Sequence, residues 1–299
     1  MDLQRLSRNS AIALLLTASV ANCLPQDTRP VPGTALILAV PDDDLSAGIS
    51  TVDGWQITFD KFLVHLGYSS IEGDDCIGYA DPDYGRVLDM TAAGPQRVGV
   101  LYGIGHCDFD FELRSPHDDS LLGTGVTAED RALMRTPGDD PYAKDAGVSI
   151  HIVGVATRGD EEKRFTWSYR YRYDYGPCKS LTPDGWYEGV DFVEAQEFPI
   201  EITIHGGSLF QDKLELGGPL RFDAFASADT SYGDDDGYVT LEELQQVPLT
   251  DIATEEAYAD GTWESLLDYM YLGLFKRVVR YERDGKCEEE QFVNDRAPR

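Results

Sequence analysis

Alternation of apolar and polar residues dominates the first two thirds of the chain and predicts a mainly β protein. In the clearest stretch, aromatic residues occupy every second position and polar residues stand between them. The aromatic positions are Phe165, Trp167, Tyr169, Tyr171, Tyr173 and Tyr175. A row of this kind is typical of the buried face of a sheet. The alternative is a groove in which these aromatic side chains stack on sugars or a cofactor. We expect the side chains to belong to the hydrophobic core.

A change of phase marks a second long strand. Apolar residues alternate from Trp55 to Phe59 and again from Phe62 to Tyr68, but in the opposite phase. The change falls at 60–61 and predicts a bulge or bend within the strand. Further strands are predicted at 34–40, 86–89, 96–104, 107–113, 148–156 and 198–205. Together these strands favour an antiparallel β-sandwich.

Helical spacing of apolar residues appears near residue 220 and indicates a different architecture toward the C-terminus. Earlier in the chain, Thr127 and Asp130 have the spacing of a capping box at the start of a short helix. A longer helix is predicted from Thr262 to about Tyr281. Its apolar stripe consists of Leu266, Leu267, Met270, Leu274 and Val278. The predicted fold is therefore a β-sandwich with a helical EF-hand-like insert near the C-terminus.

The insert contains the sequence of a calcium loop. With Gly237 as position 6 of a twelve-residue EF-hand loop, the carboxylates of Asp234, Asp236 and Glu243 fall at positions 3, 5 and 12. Position 7 offers a backbone carbonyl and position 9 a hydroxyl. These two positions are occupied by Tyr238 and Thr240. Calcium is the ion that such a set of oxygen ligands predicts.

The first ligand position departs from the pattern, because Tyr232 stands where Asp is expected. Asp229 lies three residues earlier, so an insertion over 231–233 moves the first ligand back to it. The predicted ligands are thus Asp229 or Tyr232, Asp234, Asp236, Tyr238, Thr240 and Glu243. An acidic surface turn is the alternative. A single loop without a partner loop favours a structural calcium site over a sensor.

The N-terminus has the pattern of an export signal. Arg5 and Arg8 precede an apolar run over 11–21 that is too short to cross a bilayer. The end of this run and the next two residues, Val-Ala-Asn-Cys ending at Cys23, resemble a bacterial lipobox, whose cysteine carries lipid. Asn22 leaves cleavage after Ala21 by the ordinary signal peptidase as an alternative. We expect a lipid-anchored protein in a bacterial cell envelope, at the periplasmic or outer-membrane face.

Cysteine number and net charge narrow the classes of partner. If Cys23 carries lipid, four cysteines remain for two disulfides in an oxidising compartment. The candidates are Cys76, Cys107, Cys178 and Cys287. With 54 acidic and 25 basic residues, the net charge of −29 argues against nucleic acid or an anionic membrane surface as a partner and favours cations as ligands. The pattern names no protein partner.

The sequence lacks the common motifs of catalytic and nucleotide-binding sites. The chain has no nucleophile elbow, HExxH, CxxC, phosphate loop or dinucleotide glycine pattern, so we predict a non-enzymatic protein and assign no catalytic residues. Histidines on separate strands offer copper binding as the alternative function. They are His65, His106, His117, His151 and His205.

Three stretches resemble a known family. They are DGWQITFDKFLVHLG (53–67), GVSIHIVGVATRG with the following FTWSY, and EITIHGGSLF ahead of the calcium loop. The chain resembles uncharacterised, myxobacteria-like EF-hand-containing lipoproteins, which are loosely similar to methanobactin-partner-type periplasmic β-sandwich proteins. The resemblance implies a β-sandwich associated with copper. It also implies extra histidines near His205 and the final cysteine, where this chain has Ser208 and Lys286.

These observations divide the chain into five parts. We predict a signal peptide (1–22), a tether (23–33), a β-sandwich domain (34–215), a helical EF-hand-like segment packed on it (216–287) and a loose acidic tail (288–299).

Overall fold

Two long strands, β3 (Gln56–Glu72) and β6 (Gln96–Leu113), organise the sheet because each pairs with several strands along its length. The computed structural model describes residues 30–80, 84–138, 142–259 and 261–294. Strands make up 47% of it and helices 19%, which confirms a mainly β protein with a curled sheet. The described residues from Pro32 onward form one compact unit. The predicted signal peptide and most of the tether lie outside the described residues.

The longest path through the sheet is mixed in direction. Its other strands are β1 (Gly33–Pro41), β8 (Ile150–Arg158), β9 (Glu161–Tyr169), β13 (Glu197–Ile204), β14 (Tyr238–Val239) and β15 (Val279–Tyr281). Neighbours follow the order β14-β9-β8-β3-β6-β1-β13-β15. The pairs β1/β13 and β9/β14 are parallel, which corrects the purely antiparallel prediction. Both parallel partners are distant in sequence, and local alternation carries no information on such crossovers.

A second group of strands joins the sheet beside this path. It consists of β2 (Ile49–Ser50), β4 (Cys76–Ala80), β5 (Gly85–Asp89), β7 (Leu121–Leu122), β10 (Tyr171–Thr182), β11 (Gly185–Glu188), β12 (Val190–Phe192) and β16 (Lys286–Val293). Strand β10 pairs with β6, β11 and β16. The predicted strands 96–104 and 107–113 are one strand, β6, because the chain continues through Gly105 at a φ of +96°. Such a φ is readily adopted by glycine.

Two local predictions are confirmed. The pairing of β3 with β8 shifts register between Phe59 and Lys61, which is where the change of phase predicts a bulge. Helix α2 (Ala128–Met134) begins with a capping box in which the Thr127 and Asp130 side chains each accept the other residue's backbone N–H. Helix α1 (Asp43–Ala47) precedes it in the chain.

The aromatic row is part of the core, but it is divided between β9 and β10. The break falls at Arg170, whose guanidinium turns inward and donates to the carbonyls of Thr136 and Ala146. Its backbone N–H donates to the Tyr271 hydroxyl instead of to a neighbouring strand. Of the row, Tyr171 is half-buried and the other members are buried.

The C-terminal region is less helical than predicted. Its helices are α3 (Asp223–Ser227), α4 (Leu241–Gln246), α5 (Leu249–Ile252) and α6 (Leu266–Asp268). Instead of one helix over 262–281, α6 starts after Ser265 and continues as a π-helical turn (Tyr269–Leu274) and a 3₁₀ turn (Phe275–Arg277). The chain then becomes strand β15, because Val279–Tyr281 pairs with β13. Val278 and Val279 are β-branched, which favours a strand over a helix at this point.

The predicted loose tail is wrong as far as Val293, because β16 (Lys286–Val293) pairs along β10. Two disulfides are present, which confirms the prediction that the four candidate cysteines form two bonds. They join Cys76 to Cys107 and Cys178 to Cys287. The second one holds β16 to β10. Within the described residues, none of the helices has the length and apolar character needed to cross a membrane.

The disulfides differ in the length of chain that they close, with sequence separations of 31 for Cys76–Cys107 and 109 for Cys178–Cys287. Loop entropy predicts stabilisation of about 4 kcal/mol by the shorter loop and about 5 kcal/mol by the longer one. We therefore expect the double alanine variant at Cys178 and Cys287 to unfold at lower urea concentration than the one at Cys76 and Cys107. Equilibrium denaturation of both variants measures this difference. The reverse order would show that loop entropy does not control the stabilisation.

Candidate metal centre

The predicted calcium loop lies against the edge strand of the sheet. Its residues in β14 pair with β9, so that Val239 lies opposite Phe165. The Arg164 N–H donates to the Gly237 carbonyl at 2.8 Å, and the Trp167 indole N–H donates to the Val239 carbonyl at 2.9 Å. Strand β9 thus supplies the backbone pairing that a second loop supplies in paired calcium sites.

Helix α3 fixes the entry into the loop by packing on the aromatic face of β9. The Phe222 ring lies 6.1 Å from Phe165, and the Phe225 ring lies 5.8 Å from Trp167, measured between centroids. Truncating one such buried aromatic side chain to alanine typically costs about 3–5 kcal/mol. The loop is therefore joined to the main core on both sides.

Asp229 is brought into the loop although it lies three residues too early in the sequence. The chain forms a π-helical turn over Ala228–Tyr232, and such turns accommodate extra residues. The fully buried Asp229 carboxylate accepts the backbone N–H groups of Asp236 at 2.9 Å and Gly237 at 3.1 Å. The alternative first ligand, Tyr232, donates its hydroxyl to Asp251 at 2.9 Å. The insertion thus places the Asp229 side chain, and not that of Tyr232, on the loop backbone.

A lysine already contacts this carboxylate. The Lys163 ammonium forms an ion pair with Asp229, and it lies 3.7 Å from an oxygen of Asp235. Only 10% of the Lys163 side chain is exposed. Sequence reasoning missed Lys163, yet a signal exists, since it precedes Phe165 by two residues and therefore shares the buried face of β9.

Glu243, the predicted last ligand, caps helix α4. One of its oxygens accepts from the backbone N–H and the hydroxyl of Thr240, at 2.9 and 3.0 Å. The other lies 3.3 Å from the backbone nitrogen of Asp234 and accepts its N–H. Both oxygens therefore face the loop backbone.

The other predicted ligands lie at the surface. Asp234 and Asp236 are exposed, and Asp236 accepts the Tyr238 N–H at 2.8 Å. Gly237 has a φ of +87°, the left-handed turn that its position in the loop requires. The donor types suit calcium, but within the described residues no group of three or more His, Cys, Asp or Glu is arranged to hold a metal ion. The predicted ligands share one loop without converging on a point.

A cavity gives solvent access to the lysine. It has a volume of about 410 Å³ and is lined by Lys163, Asp235, Glu161 and Glu162, among others. Acidic side chains outnumber basic ones on its walls. A solvated cation can therefore approach the loop from this side.

The histidines of the copper alternative bond to protein groups, and His65 and His117 share Arg114 as a neighbour. Their partners are the Arg114 carbonyl and Ser120 for His65, Asp191 for His106, the Arg114 guanidinium for His117, Ser168 for His151, and Asp42 and Thr203 for His205. Burial lowers the pKa of His65 to about 3 and that of His151 to about 4. Both rings are therefore neutral at physiological pH and serve as hydrogen-bonding members of the interior.

Comparison with protein-family models, curated protein sequences and solved structures finds no match. The resemblance to EF-hand-containing lipoproteins stays a prediction from the quoted stretches.

His65 makes stability depend on pH in the acid range. Its folded-state pKa lies below the unfolded value of about 6.5, so the unfolded chain binds more protons and stability falls as pH falls from about 6.5 toward 3. We expect His65→Asn, which keeps an N–H donor toward the Arg114 carbonyl, to be less stable at pH 7 because it underfills the site. Its stability should depend less on pH between 7 and 5.

Urea denaturation at pH 7, 6 and 5 measures this dependence for both proteins. His106→Asn, at an exposed histidine that bonds to Asp191 and not to the surroundings of His65, serves as the control for the loss of a histidine side chain. Equal slopes for the wild type and His65→Asn would contradict the assignment.

Proposed function

We propose that the loop from Asp229 to Glu243 binds one calcium ion, which replaces the Lys163 ammonium as the partner of Asp229. The observation that carries the proposal is the buried Asp229 carboxylate, which the π-helical turn directs to the loop backbone and which a cation neutralises. A buried carboxylate needs such compensation.

Local charge favours a divalent ion over the lysine alone. The loop contains six acidic residues, and Lys163 is the cation that pairs with them among the described residues. They are Asp229, Asp234, Asp235, Asp236, Glu242 and Glu243. At an effective dielectric constant of about 20, two unit charges about 4 Å apart interact by about 4 kcal/mol. A second positive charge at this loop is therefore a substantial stabilising contribution.

The residues that would hold the ion are those that the loop pattern names. Asp229, Asp234, Asp236 and Glu243 would provide carboxylate oxygens. Tyr238 would provide a carbonyl and Thr240 its position-9 oxygen. In this proposal Lys163 moves toward the acidic cavity beside it.

Calcium in this position has a structural role. The loop connects α3 and α4 to the edge of the sheet, so an ion bound there stabilises the attachment of an EF-hand-like insert to strand β9. We also propose that the strands on the two sides of β6 pack face to face as a sandwich around the aromatic core. A ligand present at about 100 times its Kd stabilises a fold by about 2.7 kcal/mol.

The test of calcium binding uses Glu243→Gln. Glutamine can keep the capping box, but it removes the charge and the bidentate carboxylate. We expect calcium to raise the Tm of the wild type by several degrees relative to EDTA, and to have little effect on Glu243→Gln. The exposed neighbour Glu242→Gln loses the same charge and should keep the calcium response. A wild-type Tm that calcium leaves unchanged would refute the proposal, and a rise with copper alone would favour the histidine alternative.

Lys163→Met separates calcium binding from simple neutralisation by lysine. Removing one partner of a buried ion pair typically costs about 3–5 kcal/mol. If calcium replaces the ammonium, the variant should be less stable in EDTA, regain stability in calcium, and bind calcium more tightly than the wild type. Isothermal titration and thermal melts measure these effects. A destabilised variant that calcium does not rescue would assign neutralisation of Asp229 to Lys163 alone.

The proposed location is the bacterial cell envelope, where the protein acts without catalysis as a lipid-anchored binding or structural component. Two disulfides support an oxidising compartment. Firm anchoring by lipid requires two or more acyl chains, which a lipidated N-terminal cysteine carries. Cys23 lies outside the described residues, so the proposal of a lipid anchor rests on the sequence pattern.

Expression of the full chain in a bacterium that processes lipoproteins tests the anchor. The wild type should fractionate with membranes, and the mass of its N-terminal peptide should begin at a lipid-modified Cys23. Cys23→Ser should be released into the soluble periplasmic fraction. A wild-type N-terminus at Asn22 would instead establish cleavage after Ala21.

A further inference from the structure

Basic residues of this acidic chain are concentrated in one short segment, Lys276–Lys286. Five of the 25 Lys and Arg residues fall within it. They are Lys276, Arg277, Arg280, Arg283 and Lys286. The segment covers the end of the 3₁₀ turn, strand β15 and the first residue of β16. Such a concentration is notable because acidic residues outnumber basic ones by 54 to 25 overall.

Four of these side chains line one cavity. The cavity has a volume of about 190 Å³, and its basic lining residues are Lys276, Arg277, Arg280 and Lys286. Glu289 is the acidic residue among the described residues that line it. The volume exceeds by far what a single water molecule needs. The cavity is thus a positively charged recess of a size that suits a small anion.

The positive charge of this recess is incompletely balanced. Lys276 lies 3.5 Å from Glu289, and the Lys286 ammonium lies 4.3 Å from the centre of the Trp186 ring. Arg280 has no carboxylate within 4.0 Å among the described residues, and its Nε donates to the Arg277 carbonyl at 3.3 Å. Burial and the neighbouring Arg277 charge lower the pKa of Arg280. Asp284 and Asp42 line a neighbouring cavity together with Arg280 and act on it from beyond 4.0 Å. An anion placed here would therefore gain from Arg280 without displacing a carboxylate in direct contact with it.

A buried hydroxyl in the same wall also lacks a partner. Tyr175 lines the cavity with 3% of its surface exposed, and its hydroxyl has no hydrogen-bond partner among the described residues. Buried polar atoms are almost always hydrogen-bonded, so this hydroxyl has a donor to offer to an acceptor. The cationic side chains and this hydroxyl together supply several hydrogen-bond donors.

We propose that this cavity binds a phosphate group, either free or as part of a lipid headgroup. Phosphate offers several acceptor oxygens, which the guanidinium of Arg280 can engage through paired N–H groups. Lys276 and Lys286 supply further charge, and the Tyr175 hydroxyl supplies a neutral donor. The site is separate from the calcium loop, because no residue of 229–243 lines the cavity.

Phosphorus NMR of inorganic phosphate, titrated with the purified full chain at constant ionic strength, tests the proposal directly. We expect the phosphate signal to broaden with the wild type. Arg280→Gln should weaken the apparent affinity by about tenfold or more, as loss of a charge-assisted hydrogen bond predicts. Arg280→Lys, which keeps the charge and loses the paired donors, should fall between them. Lys276→Gln, a second variant in the cavity lining, should also weaken phosphate binding.

Arg97→Gln is the matched control, because Arg97 is an exposed arginine of β6 outside the cavity lining. It should bind phosphate as the wild type does. Absence of broadening with the wild type, or equal broadening with wild type and Arg280→Gln, would overturn the proposal. Competition then identifies the source of the phosphate group. Displacement by phosphatidylglycerol vesicles, but not by phosphatidylcholine vesicles, assigns a lipid headgroup, and displacement by neither assigns free phosphate.

Discussion

The buried ion pair between Lys163 and Asp229 is the contact on which the position of the 229–243 loop depends. Strand β9 presents Lys163 on the same face as its aromatic residues, and the π-helical turn presents Asp229 from the other side. Each charge would be costly to bury alone. Their pairing therefore requires the loop to stay on the edge of β9, and it sets the positions of α3 and α4 around it.

The same electrostatic constraint explains why basic residues are unevenly distributed. In a chain with a net charge of −29, isolated cations are readily neutralised at the surface. Lys163 instead serves a buried carboxylate, whereas Arg280 lies among other cations in a recess with little acid. The first arrangement creates a place where an external cation competes with lysine. The second creates a place where an anion completes an unbalanced group of donors. Negative charge is in excess at the loop, and positive charge is in excess in the recess. The two proposed sites follow from this difference.

Local periodicity predicted the features that depend on near neighbours. The bulge at 60–61, the Thr127 capping box and the burial of the aromatic row all follow from residues a few positions apart. It did not predict β15, because Val279–Tyr281 is a strand only where β13 is available for pairing. Lys163 was missed for a related reason. Its place in the alternation shows burial, but its partner lies 66 residues away and no local pattern connects the two.

The tethered lysine also bears on the affinity of the proposed calcium site. Lys163 is held by the pairing of β9, so its contact with Asp229 costs little of the entropy that capture of a free ion requires. Calcium brings twice the charge, but it must lose hydration water, displace the ammonium and draw Glu243 from the backbone groups that it caps. These costs act against the Coulomb gain and favour weak binding. Affinities of about 10⁻⁴ to 10⁻³ M are common in extracellular calcium modules. A loop with its own internal cation is therefore suited to an environment rich in calcium, and it keeps its fold when the ion is scarce.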